Sequence, residues 1–160
     1  MPHIGRTFAA GSNALLSRTA HDRHDVFPMP LLIGIFLALA IAAFARVAGF
    51  DRDRAFYSTV LIVVATYYDL FGVMGGSMSA LVQESGGVAV FVALAYLGFR
   101  TSAWFVVAGL AGHGVFDFFH AGLVTNPGVP IWWPQFCGAY DVTAAAFLAW
   151  LIRRDKRVVS

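Results

Sequence analysis

Six acidic and histidine residues of this sequence lie within long apolar stretches or at their edges, where ionisable side chains are rare. They are Asp69, Glu84, His113, Asp117, His120 and Asp141. No lysine or arginine lies among them, so the set has no cationic side chain to balance its charge. An ionisable group at the centre of a bilayer costs about 3 kcal/mol or more, and such groups are usually functional. Carboxylates and imidazoles alone indicate a site for a cation or for protons.

The most informative spacing is that of His113, Asp117 and His120, which follow one another at intervals of four and three residues. On an α-helix they fall within an arc of about 60°, so they share one face. Imidazole and carboxylate ligands suit zinc or non-haem iron, and we predict a metal site formed by these three residues and Asp141. His113 and His120 lie about 10 Å apart along the axis. This spacing favours His120 and Asp141 as direct ligands, with Asp117 or His113 beside them.

Four functions fit such a set, and the sequence leaves them open. The first is an enzyme in which a divalent metal, zinc or iron, activates water or polarises the substrate while Glu84 or Asp69 moves the proton. The second is a metal-free isomerase or cyclase in which Asp117 or Asp141 is the acid and a histidine is the base. The third is a pathway for protons or metal ions. In the fourth, these residues only hold helices together by hydrogen bonds. We favour an enzyme, a hydrolase or an isomerase.

Aromatic residues accompany the acidic and histidine residues along the apolar stretches. We predict that five of them line a substrate pocket: Phe71, Trp104, Phe116, Trp132 and Tyr140. Aromatic walls suit a flat hydrophobic substrate and can stabilise a developing positive charge. The predicted partners are therefore membrane lipids and a hydrophobic or lipid-like small molecule, and the sequence leaves a homo-oligomer open.

The composition of the chain indicates a membrane protein. Of its 160 residues, 59% are hydrophobic and 12% are charged, and the mean hydropathy is +0.71. Soluble domains carry roughly a quarter charged residues, so these values exclude a disordered protein and a soluble cytosolic enzyme. The basic residues lie at the ends of apolar runs and form no recognition surface for nucleic acid. The single cysteine, Cys137, excludes a disulfide within the chain and every multi-cysteine zinc pattern.

Five apolar runs must position the candidate residues, and they predict an all-α fold, a bundle of about five transmembrane helices. The runs cover residues 28–48, 55–74, 86–99, 102–124 and 131–152. The third run is short for a spanning helix unless residues 77–85 extend it. We divide the chain into a polar or interfacial N-terminal segment at 1–26, the helical bundle at 27–153 and a basic tail at 154–160.

The basic residues also predict the orientation of the bundle. Eight of the eleven follow the first, third and fifth runs, on one side of the membrane. The positive-inside rule then places the C-terminus in the cytoplasm and the N-terminus outside. In that arrangement Asp69, Glu84, Asp117 and Asp141 fall in the outer half, and the depths of the last two agree within about 5 Å. The convergence of four segments on one layer is the strongest indication of a functional site.

The segment from Gly112 to Ala146 resembles an uncharacterised family of small bacterial membrane proteins that cross the bilayer several times. The residues that carry the resemblance are His113, Asp117 and His120, the Asn126-Pro127 turn, a downstream proline, and then Cys137 and Asp141. Glu84 also matches an acidic position ahead of that family's third helix. The resemblance implies an integral protein of a bacterial cell membrane but no particular activity. The five-helix architecture is similar, more distantly, to that of sterol isomerases, which protonate a lipid double bond with buried acids.

Overall fold

The structure is a computed structural model that describes residues 28–154. The N-terminal segment predicted at 1–26 and nearly all of the predicted basic tail lie outside the described residues. Within the described range every regular element is helical, which confirms the predicted all-α fold. The five long helices are α1 (Pro28–Ala48), α2 (Arg54–Met74), α3 (Met78–Arg100), α4 (Trp104–Leu123) and α5 (Trp133–Arg154). Each is long and apolar enough to cross a membrane.

Two polar caps determine where α2 and α3 begin. The side chain of Asp53 accepts a hydrogen bond from the backbone N–H of Ala55, and Ser77 does the same for Ala80. Because Ser77 caps α3, that helix includes the residues that precede the predicted third run. Glu84 therefore lies inside the helix, between one and two turns from its start, rather than ahead of it. Gly76, whose φ is +65°, provides the left-handed turn between α2 and α3.

The helices pack in an order that differs from their order in the chain. α1 lies along α5, α5 along α4, α4 along α3, and α3 along α2. A short 3-10 helix, Phe50–Arg52, connects α1 to α2. The closest approach of α4 and α5 is at Gly114 and Gly138: a Cβ on Gly114 would lie 2.9 Å from the carbonyl oxygen of Gly138 and 3.2 Å from Cβ of Asp141. Glycine at this contact lets α5 bring Asp141 against the polar face of α4.

The two ends of the bundle differ in charge. The arginine end comprises the α1–α2 connection, the α3–α4 turn and the end of α5. Its described basic residues are Arg46, Arg52, Arg54, Arg100, Arg153 and Arg154. The opposite end, here the site end, comprises the α2–α3 turn and the loop from α4 to α5. That loop is held on the turn by Gly128, where any Cβ would clash with the carbonyl oxygen of Phe71.

Candidate functional site

Two helices, α4 and α5, bring four donor side chains together inside the bundle. His113 and Asp117 come from α4, and Cys137 and Asp141 come from α5; one ligand atom of each lies within 4.8 Å of all the others. All four residues are buried, with exposed fractions of 0 to 2%. Nδ1 of His113 lies 2.6 Å from Oδ2 of Asp141 and 3.5 Å from Oδ2 of Asp117. We call these four residues the carboxylate cluster.

The charge of the carboxylate cluster is not balanced by any arginine or lysine within residues 28–154. Two ionised carboxylates beside one neutral imidazole carry a charge of −2, and no arginine or lysine of the described helices pairs with them. Isolated buried charge is costly in a bundle of this kind. The cluster therefore has to hold two protons or one divalent cation. Asp117 Oδ2 and Asp141 Oδ1 are buried and have no hydrogen-bond partner among the described residues, so each can accept such a charge.

The third helix that contributes is α2, through Tyr68. Its hydroxyl donates a hydrogen bond of 2.7 Å to Oδ1 of Asp117. The same ring stacks on the imidazole of His120, with centroids 4.0 Å apart and an angle of 13° between the planes. Because the hydroxyl occupies Oδ1, it orients Asp117 so that Oδ2 remains available to His113 or to a ligand.

His120 belongs to a second acid–imidazole pair, one turn nearer to the site end. Its Nε2 lies 2.6 Å from Oε1 of Glu84 on α3, and both side chains are buried. The amide of Asn126 donates to the same carboxylate oxygen at 3.1 Å and to the backbone oxygen of Tyr68 at 3.0 Å. Asn126 thus fastens the α4–α5 loop to α2 and α3. The sequence indicates that Asn126 lies in a turn and can line the mouth of a pocket; its contact with Glu84, 42 positions away, does not follow from any local pattern.

The predicted metal ligands divide between these two groups. His113, Asp117 and Asp141 lie together, whereas His120 lies against Glu84. The reason is the seven-residue interval, which separates the two histidines by nearly two helical turns. The prediction that His120 and Asp141 are both direct ligands therefore has no support in this geometry. Cys137, which the prediction left out, takes the place of His120: its sulfur lies 3.9 Å from Oδ2 of Asp141.

Asp69, the remaining predicted catalytic residue, is at the periphery of the site. Both of its carboxylate oxygens lie 3.2 Å from the hydroxyl of Ser85, and this contact is exposed. Asp69 on α2 thus contacts Ser85 on α3, the residue that follows Glu84, but it lies outside the two buried groups.

The aromatic residues predicted to line a substrate pocket are spread over the molecule. Tyr140 lines the larger cavity, of about 580 Å³, and Phe116 lines a much smaller one. Phe71 is buried against the ring of Trp133, with centroids 4.9 Å apart. Trp132 is 49% exposed at the site end, and Trp104 is at the arginine end, where it contacts Arg153. Interfacial tryptophans account for the last two positions.

The smaller cavity lies between the pair His113–Asp141 and the pair His120–Glu84. Its volume is about 10 Å³, which is close to the minimum that holds one water molecule. Glu84, His113, Tyr68 and Phe91 are among the residues that line it. The cavity therefore borders Glu84 of the second pair and His113 of the carboxylate cluster.

The donor set of the carboxylate cluster is compatible with a divalent metal. At metal–ligand distances of about 2.0 Å for N and O and 2.3 Å for S, neighbouring ligand atoms of a tetrahedral site lie roughly 3.3–3.5 Å apart. The 3.5 Å separation between His113 and Asp117 fits this range, and the 3.9 Å separation between Cys137 and Asp141 is close to it. The 2.6 Å separation between His113 and Asp141 is that of a hydrogen bond and would have to widen by about 0.7 Å.

Comparisons with known protein families, with curated proteins and with solved structures found no match. The resemblance to an uncharacterised membrane-protein family stays a prediction.

Proposed function

We propose that this chain is an integral membrane enzyme that acts on a hydrophobic or lipid-like molecule at a metal site formed by His113, Asp117 and Asp141. The observation that carries the proposal is the carboxylate cluster itself. It holds two buried carboxylates with one unpartnered oxygen each, within the described helices, and it needs a divalent cation or two protons for neutrality. Structural hydrogen bonds between helices do not require unpartnered acceptors.

The ligand number decides whether such a site can be catalytic. Structural zinc sites use four protein ligands, and catalytic sites use three and leave one position for water or substrate. His113, Asp117 and Asp141 supply three ligands when the thiol of Cys137 stays beside them as a neutral group. A bound zinc or iron ion would supply Lewis-acid polarisation or an activated water. Tyr68 orients Asp117 through its hydrogen bond, and the buried surroundings exclude bulk water.

Glu84 is the residue best placed to move a proton to or from this site. It shares the water-sized cavity with His113 and forms a 2.6 Å contact with His120, so an acid and a base are already paired there. The pair is closer to the site end than the carboxylate cluster is. Asp69, half-buried beside the exposed Ser85, would exchange protons with the surroundings in the same direction. With the predicted orientation, that direction is the non-cytoplasmic face.

One observation favours a metal-free variant of this enzyme. The 2.6 Å contact between His113 and Asp141 is an ordinary charge-assisted hydrogen bond, which needs no metal. In that case one proton on Asp117 or Asp141 and one on His113 neutralise the cluster, and the chemistry is that of an acid–base isomerase or cyclase. An ion transporter would need a polar path, whereas the larger cavity beside the site is lined mainly by apolar side chains.

Metal content separates the two variants. We would purify the protein in detergent without chelator and measure bound metals by inductively coupled plasma mass spectrometry. The metal-dependent enzyme predicts near-stoichiometric zinc or iron in the wild type and in His120→Ala, and loss of the metal in His113→Ala. His120→Ala is the matched control because it removes an imidazole from the same helix but outside the carboxylate cluster. A metal-free wild-type protein would refute the metal site and favour acid–base chemistry.

The enzymatic part of the proposal needs a separate assay. Membranes that contain the wild-type protein or Asp117→Asn would be incubated with a lipid extract, and products would be compared by mass spectrometry. Asn keeps the shape of Asp and can accept the Tyr68 hydrogen bond, so the variant should still fold. Products that appear only with the wild type support an enzyme. Identical lipid profiles for the empty membrane, the wild type and the variant would count against lipid chemistry at this site.

A further inference from the structure

The larger cavity is a groove in the side of the bundle, and Cys137 is the one residue of the carboxylate cluster that lines it. It lies between α1, α2 and α5, and its volume of about 580 Å³ is within the usual range of small-molecule sites. α1 packs along α5 and α2 packs along α3, while the short helix Phe50–Arg52 connects α1 and α2 at the arginine end. Between this connection and the site end, α1 and α2 are separated by an opening.

The opening faces the hydrocarbon of the membrane. Leu37 on α1 and Val63 on α2 both line the groove, and they are 39% and 45% exposed. Thr59, one turn from Val63, also lines it and is exposed. Because all three lie in membrane-spanning helices, their exposed surfaces contact lipid rather than water. A molecule dissolved in the bilayer can therefore enter the groove sideways.

The length of the groove matches one lipid chain. It extends along α2 from Ala55 to Tyr67, which are twelve residues apart and therefore separated by about 18 Å along the axis. One leaflet contributes about 15 Å to the hydrocarbon core of a bilayer. A single hydrocarbon chain that runs along α2 would thus fill the groove from one end to the other.

The two ends of the groove differ in polarity. At the arginine end Phe50 and Phe56 stack on each other, with ring centroids 6.3 Å apart, and Asp53, whose side chain caps α2, lines the mouth of the groove beside them. At the site end the lining residues include Tyr67, Trp133 and Cys137. The indole N–H of Trp133 is buried and has no acceptor in the part of the chain that the structure describes. The indole N–H can donate to an oxygen-bearing head at the site end, and the two phenylalanine rings can contact an apolar tail at the other end.

Cys137 connects the groove to the carboxylate cluster. It lines the groove near the site end, and its sulfur lies 3.9 Å from Oδ2 of Asp141. A lipid chain bound in the groove would have its polar end beside this thiol. Only the side chain of Cys137 would then separate that polar end from Asp141 and His113. The groove is therefore placed to present the first bonds of a lipid, next to its head, to the site.

We propose that the groove between α1, α2 and α5 binds a single hydrocarbon chain of a membrane lipid, with its tail at Phe50 and Phe56 and its polar end at Trp133 and Cys137. This inference deepens the proposed function by naming the substrate class: a membrane lipid of which one hydrocarbon chain enters the groove. Any reaction of the bound lipid rests on the proposed function. The binding itself requires no metal and no turnover.

A photoreactive lipid tests the proposal directly. The protein would be placed in phosphatidylcholine nanodiscs with a palmitoyl lysophospholipid that carries a diazirine at the end of its chain, and the labelled residues would be mapped by mass spectrometry. We expect saturable labelling at Phe50 and Phe56, which unlabelled palmitoyl lysophospholipid displaces. Val63→Trp fills the opening and should reduce this labelling about tenfold, the effect of losing the burial of roughly two methylene groups. Val82→Trp, at an exposed position of α3 outside the groove, is the matched control.

The outcomes distinguish this proposal from the proposed function. Labelling that does not saturate, is spread over every exposed helix face and is unchanged in Val63→Trp would show only surrounding bilayer lipid and would overturn the groove. Metal content is measured on the same samples. If the protein contains no metal but labelling is saturable, the lipid-binding groove is supported and the metal-dependent enzyme is refuted. If the protein contains metal but labelling is unspecific, only the lipid-binding groove is overturned.

Discussion

The pair formed by Glu84 and His120 allows the sharpest test of the site because it can be measured without knowing the substrate. Oε1 of Glu84 accepts from His120 at 2.6 Å and from Asn126 at 3.1 Å, and Glu84 is 3% exposed. Glu84→Ala removes the acceptor of both bonds and leaves an imidazole and an amide buried. Glu84→Gln keeps the shape of the side chain and one oxygen that can accept.

The size of the effect distinguishes a charged pair from an ordinary hydrogen bond. Hydrogen bonds between transmembrane helices contribute about 0.6 kcal/mol on average and about 1.7 kcal/mol at most. Breaking a buried charged pair costs roughly 3–5 kcal/mol, because the remaining charge loses its partner. We expect Glu84→Ala to lower the free energy of unfolding by about 3 kcal/mol and Glu84→Gln by about 1 kcal/mol. The coupling energy between Glu84 and His120 should be about 2 kcal/mol.

Unfolding in mixed micelles by increasing sodium dodecyl sulfate, followed by tryptophan fluorescence, measures these values. The cycle comprises the wild type, Glu84→Ala, His120→Ala and the double variant. Gln83→Ala is the matched control: it removes a neighbouring polar side chain of α3, whose bond to Ser79 is exposed and should contribute little. A coupling energy below about 1.7 kcal/mol, the upper value for an ordinary interhelical hydrogen bond, would refute a buried charged pair at this position.

Three further predictions concern the metal site and the packing. Tyr68→Phe should lower metal affinity about 10–100-fold, because Asp117 loses the hydroxyl that orients it; competition with a chelator measures this, and an unchanged affinity would argue against Asp117 as a ligand. Gly128→Ala should destabilise the protein by about 1–3 kcal/mol, because a Cβ would clash with the oxygen of Phe71, while Gly86→Ala, which has open space, should not; equal unfolding midpoints would contradict the packed loop. Removing the metal with a chelator should lower the free energy of unfolding by about 2.7 kcal/mol if the free ion was present at 100 times its dissociation constant. An unfolding curve that the chelator leaves unchanged would refute a tightly bound ion.

The helices could be predicted well from the sequence because their lengths follow from the thickness of the membrane. The first predicted helix, at 28–48, has the bounds of α1, and the second, fourth and fifth differ from α2, α4 and α5 by no more than two residues at either end. The third was too short because Glu84 and the serines near it lower the local hydropathy. Glu84 is buried against the neighbouring helices rather than exposed to lipid, and burial against other helices does not appear in a hydropathy profile.

The site could be predicted only in part, because spacing along one helix gives a face but not the neighbour that each residue meets. The shared face of His113, Asp117 and His120 follows from their spacing. Their partners follow from the packing of three other helices, which no residue pattern in α4 contains. Cys137 illustrates the limit: it lies one turn before Asp141, as the sequence shows, but its place in the carboxylate cluster depends on the approach of α5 to Gly114.

The polar face of α4 joins it to three neighbours, and this arrangement bears on whether the site is functional. His113 bonds to α5 through Asp141, Asp117 to α2 through Tyr68, and His120 to α3 through Glu84. Hydrogen bonds that only hold a bundle together would explain all three contacts equally well. They do not explain why Asp117 and Asp141 each bury a second oxygen without a hydrogen bond in residues 28–154, because asparagine could make the same contacts without a buried charge. The two extra oxygens are what a bound cation or a transferred proton requires, and they are the reason to test this face for chemistry first.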